Sequence, residues 1–136
     1  MLIVDTGPLL ATADRQDPDH VSCRTVLEED AGPLVTTALV IAEAAYLIDR
    51  QLGALAEAAL YASIVDGSLL VEDMLVEDWQ RVRALVTRYA DLPLGGTDAS
   101  LVAIAERLGA TRLATLNHRH FRVVRPRHVP ALELLP

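Results

Sequence analysis

The chain has no lysine, one cysteine and no uninterrupted apolar run of membrane-spanning length. Each absence removes a class of protein. Cys23 has no partner for an internal disulfide, which suits a reducing compartment, and it is expected to be a small buried residue in a helix. Nothing is long enough to cross a bilayer as a helix, so no membrane association is expected. No basic run precedes the first apolar residues and Asp5 interrupts them, so no secretory leader is read and a cytoplasmic location is expected. Glycine and proline, seven each, are scattered, and no repeat recurs. Collagen-like and low-complexity architectures are thereby excluded.

What is present is a core. Hydrophobic residues make up 51% of 136 positions, enough for one domain spanning 1–136 and too few for two. The net charge of −7 hides an asymmetry. Residues 1–78 carry 15 acids and 3 arginines, whereas residues 79–136 carry 4 acids and 9 arginines. An acidic body with one basic edge can both collect cations and meet a phosphate backbone.

Leu2-Ile3-Val4 reads as a short buried strand, and Gly7-Pro8 opens a helical run to about Ala13. Asp17-Pro18 is expected to start a second helix with Val21, Val26 and Leu27 on its apolar side. Leu34-Val35-Thr36 is the next strand, after which Thr36 or Thr37 caps a helix to about Gln51, closed by Gly53. Helices over 54–65 and 77–89 flank a strand at 68–71, with Trp79, Val82 and Val86 expected to pack together. Thr97-Asp98 starts the helix ending at Leu108-Gly109, and Arg112–Leu116 and Val123-Val124 are read as the last strands. Short apolar strands alternating with helices imply an α/β fold, a parallel sheet covered on both faces.

Val4-Asp5-Thr6-Gly7 resembles the turn that presents the catalytic carboxylate of an aspartic protease. The mostly helical pattern and the single such turn exclude that reading. In open parallel sheets the site lies beyond the carboxyl ends of the strands. Asp5, Glu43, Asp98 and Asn117 can all be brought there. Glu43 stands alone among Val40, Ile41, Ala42, Ala44, Ala45, Leu47 and Ile48, and a carboxylate in such surroundings needs a partner. Converging carboxylates with no lysine to neutralise them must repel, take up protons or bind a hard cation. Oxygen ligands suit Mg2+ or Mn2+. Zinc is disfavoured, because the histidines come late and Cys23 is single. Receiver-type and haloacid-dehalogenase-type sites are set aside for want of a lysine and of an aspartate at position 7.

These residues resemble a known family. Leu2-Ile3-Val4-Asp5-Thr6, Ile41-Ala42-Glu43-Ala44, the stretch from Gly96 to Ala103 and the stretch from Ala114 to Phe121 are similar to PIN-domain ribonucleases, more narrowly to VapC toxins of type II toxin–antitoxin pairs. The resemblance spans nearly the whole chain. It implies a three-layer α/β/α fold with a central parallel sheet, Mg2+- or Mn2+-dependent endoribonuclease activity on transfer or ribosomal RNA, a VapB-type antitoxin and homodimers. By motif position Asp5, Glu43, Asp98 and Asn117 are the catalytic set, with Asp5 and Asp98 as metal ligands. Arg112, His118, Arg119, His120 and Arg122 are the expected RNA contacts. The family's fourth acid is usually aspartate, and Asn117 in its place sustains an alternative, a weakened domain that binds RNA or antitoxin without cleaving. Apolar residues of helices 38–65 exceed what a small sheet needs, so part of that surface is expected to meet another chain.

Overall fold

The computed structural model describes all 136 residues. The first strand, β1 (Leu2–Val4), is followed by α1 (Thr6–Ala13) and α2 (His20–Glu29), and β2 (Leu34–Thr37) by α3 (Ala38–Leu52) and α4 (Ala54–Val65). Next come β3 (Leu70–Glu72), α5 (Val76–Arg88), α6 (Gly96–Leu108), β4 (Arg112–Ala114), α7 (His118–Val123) and β5 (Glu133–Leu135). All five strands are parallel, in the order β3-β2-β1-β4-β5.

β1 lies at the centre, paired through Ile3 to Val35 on one side and to Leu113 on the other. Its three side chains are fully buried, as a strand covered on both faces requires. Leu2 and Val4 pack with Val26 and Leu27 of α2 on one face, whereas Ile3 joins Val82, Leu85 and the apolar residues of α6 on the other. The chain therefore winds one way from β1 to β3 and the other way from β3 to β5. Right-handed crossovers then place α5 and α6 on the face opposite α1 and α2, giving three α/β/α layers.

Local chemistry explains most boundaries. Thr37 caps α3 by accepting from Val40 N at 3.3 Å. Gly109, at φ +69°, ends α6 in the left-handed conformation that glycine adopts most readily. Buried Asp78 accepts from Leu75 N at the start of α5 and from Arg107 Nε at 2.9 Å, tying α5 to α6. Arg81 and Glu106 join the same two helices by a two-pronged pair at 2.8 Å. Cys23 is fully buried in α2, and burial pushes its thiol up to about 11.

Several sequence expectations change. The second helix begins at His20, because Asp17 accepts from Asp19 N in a tight turn before it, and Val21 points to solvent. Trp79 and Val86 are on the exposed side of α5, which buries Asp78, Val82 and Leu85 instead. Val123-Val124 is no strand: Val123 ends α7, and the fifth strand is Glu133–Leu135. Three-residue strands have too little alternation to separate them from a helical turn.

Candidate active site

The strand order reverses between β1 and β4, so their carboxyl ends diverge into a crevice of the kind where open α/β sheets bind ligands. Asp5 leaves β1 there, its backbone N–H bonded to Ala114 O of β4 at 2.9 Å. Its carboxylate caps α1 through Thr6 N at 2.7 Å and accepts from the buried Thr115 hydroxyl at 2.7 Å. Gly7 permits the two turns to touch, since a Cβ on it would come within 3.2 Å of Leu116 Cβ.

The remaining groups join through short polar links. Thr6 Oγ1 donates to Glu43 Oε2 at 2.5 Å, so the partner that Glu43 requires is a hydroxyl, at the solvent edge of the crevice. Asn117 N donates to Thr115 Oγ1 at 2.9 Å, and the Asn117 amide nitrogen lies 3.3 Å from Asp98 Oδ2. Asp98 occupies the first turn of α6, where the helix end favours negative charge. Buried Ser100 fixes that turn by donating to Thr97 O at 2.7 Å and meeting Thr37 Oγ1 at 2.9 Å. Ser100 was missed in the sequence, although a serine inside Ala99–Ala105 was a usable signal.

Asp5 feels the crowding. Burial above all, with Asp98 and Glu43 adding like charge, raises its carboxyl from the ordinary 3.8 to about 6 against the opposing bonds from Thr115 and Thr6. No lysine or arginine is bonded to Asp5, Glu43 or Asp98. No three acidic or histidine side chains close into a ready ligand cluster. The carboxylates stand apart, bridged by Thr6, Thr115 and Asn117. Hard oxygen donors with unbalanced negative charge form a donor set that fits Mg2+ or Mn2+.

The basic residues divide. Arg119 and Arg122 are exposed on α7 and make no ion pair, beside the crevice. Arg112, expected as an RNA contact, stands apart from the other four: it begins β4, at the opposite end of the sheet, and pairs with Asp30 and Glu133. His118 donates from Nε2 to Thr115 O at 3.0 Å and so braces the turn. His120 is half-buried on α7, and its Nδ1 lies 3.2 Å from Asp98 Oδ2.

The PIN-domain profile matches residues 2–126. Over 125 residues the chain is 32% identical to ribonuclease VapC26 of Mycobacterium tuberculosis, covering 92% of this chain and 93% of that protein. The chain belongs to the VapC branch of the PIN-domain family. VapC20 of M. tuberculosis, described as a sarcin-ricin loop cleaving toxin, shares the VapC fold with a TM-score of 0.77 at 19% identity, over 83% of this chain and 87% of that one. VapBC2 of Rickettsia felis, solved bound to a DNA fragment from its promoter, gives 0.71 at 18% identity, over 99% and 98%. FitAcB of Neisseria gonorrhoeae gives 0.60 at 14% identity, over 100% and 97%. The VapC26 relative is named a ribonuclease, which lends no support to a non-cleaving VapC domain at Asn117.

Proposed function

We propose that this VapC domain is an endoribonuclease toxin that hydrolyses RNA phosphodiester bonds with Mg2+ or Mn2+ at the acidic crevice, restrained by a VapB-type antitoxin. The observation that carries the reading is the linkage of Asp5, Glu43 and Asp98 at the β1/β4 reversal, with a buried carboxyl raised to about 6. A carboxylate crowd of this kind stores repulsion that a divalent cation relieves.

Asp5 and Asp98 would hold the ion. When bound, it supplies Lewis acidity toward a phosphoryl oxygen and a water of lowered pKa. Thr115 and Thr6 fix the Asp5 carboxylate so that its remaining lone pairs face the crevice. Glu43, held by Thr6 at the open side, is placed to accept a proton from a water entering there. Arg119 and Arg122 would grip flanking phosphates and keep the strand across the site. Transfer or ribosomal RNA is the substrate class that this family membership favours.

For the antitoxin, a cavity of about 630 Å3 opens between α1, α2 and α4, lined by Leu9, Leu27, Leu34, Ile48, Ala56 and Leu60. It lies toward the amino ends of β2 and β3, away from the crevice, and is suited to an apolar antitoxin segment.

The decisive experiment incubates total RNA with the wild type and with Asp98→Ala, with Mg2+, Mn2+ or a chelator, and maps the new 5′ ends. Discrete ends should appear only for the wild type with metal. Cleavage that survives in Asp98→Ala or in chelator removes the metal-dependent reading.

A further inference from the structure

His120 enters the acidic crevice although the sequence suggested a phosphate contact. Its neighbour Phe121 is buried in the core, so α7 holds the ring in place. Nδ1 lies 2.8 Å from Asn117 Nδ2 and 3.2 Å from Asp98 Oδ2. The same amide nitrogen is 3.3 Å from Asp98 Oδ2, so its two hydrogens serve the carboxylate and the ring. An amide N–H can only donate. Nδ1 accepts from that amide when the ring hydrogen is on Nε2.

In that tautomer a carboxylate oxygen and the Nδ1 lone pair face each other across 3.2 Å, whereas with the hydrogen on Nδ1 the ring donates to Asp98. In the first state a cation shared by both atoms relieves their repulsion. Neighbouring donors on a six-coordinate ion with bonds of about 2.1 Å are about 3 Å apart, so the pair already has the spacing of adjacent ligands.

We propose that His120 is a nitrogen ligand of the cation in the crevice, beside Asp98, and that it biases the site toward Mn2+ over Mg2+. The proposal rests on the reading of Asp98 as a ligand. Imidazole suits first-row transition metals, whereas Mg2+ keeps to carboxylate, carbonyl and water oxygen. A site of carboxylates alone would lack this source of discrimination.

The test loads the full chain with Mn2+ and reads 14N coupling to the ion by pulsed electron paramagnetic resonance, with Mn2+ and Mg2+ titrations alongside. The wild type should show 14N coupling, and His120→Ala and His120→Gln should lose it. In both variants Mn2+ affinity should fall about tenfold or more and Mg2+ affinity by less than about threefold. The glutamine variant retains a polar side chain, and the wild-type signal needs no variant at all. Bound Mn2+ without 14N coupling, or equal loss of both metals in the variants, overturns the proposal and leaves His120 positioning Asp98. A wild type that binds neither metal, or binding indifferent to Asp98→Ala, instead removes the carboxylate site itself.

Discussion

Asp5 carries the charge that the folded chain tolerates least. With its carboxyl raised from 3.8 to about 6, folding takes up a proton in that window. The contribution of this group to metal-free stability is therefore greatest at the acid end and falls as pH rises from about 4 to 6, by about 3 kcal/mol. Asp5→Asn should flatten that dependence in urea titrations and raise metal-free stability near pH 7, while cleavage disappears. If the variant is less stable than the wild type at pH 7, the carboxylate is not strained. Asn117→Asp should act in the opposite direction. It would replace the donor now 3.3 Å from Asp98 Oδ2 with a second carboxylate, costing about 1–2 kcal/mol of metal-free stability. Calorimetric titration should show tighter Mg2+ and Mn2+ binding in return. Unchanged affinity and stability would mean that residue 117 does not face the ion.

At the scale of elements, α7 and the turn before it carry Asn117 and His120 at the acidic crevice and Arg119 and Arg122 on an exposed basic edge. Removing charge at Arg119 and Arg122 should lower the slope of log affinity for single-stranded RNA against log salt by about 1.4, at about 0.7 per phosphate. Arg112→Ala should leave the slope alone and lower stability by about 1 kcal/mol, because Asp30 loses its ion pair and keeps only the bond from Gly32 N. An unchanged slope in the double variant would place the RNA elsewhere. The sequence could show Glu43 as a candidate because its neighbours are apolar, and Asp5 and Asp98 because one ends a strand and the other starts a helix. It could not separate Arg112 from Arg119, since which end of β4 an arginine occupies depends on strand direction and pairing. Nor could it show that His120 turns inward, because that follows from Phe121 anchoring a six-residue helix. Trp79 was misplaced for a related reason: burying Asp78 against Arg107 rotates α5 and carries the indole outward.

For the molecule as a whole, α4 leaves an outer face uncovered. Leu55 and Val65 are 89% and 87% exposed, and Ala58 and Ala62 lie on the same face between them. An apolar face of this kind fits a second copy of the chain. Sedimentation should show a dimer for the wild type and a monomer for Leu55→Asp combined with Val65→Asp, with helical content unchanged. A monomeric wild type would refute that assembly.

The central position of β1 also governs when the nuclease can exist. Ile3 is made almost first, yet its neighbour Leu113 follows 110 residues later. At about 5–20 residues per second, that gap lasts on the order of ten seconds. Asp5 therefore waits, without Thr115, Asn117 or Asp98 beside it, for most of its own synthesis. By topology the crevice stays incomplete until β4 and the turn after it emerge, and the proposed antitoxin would have that interval in which to bind.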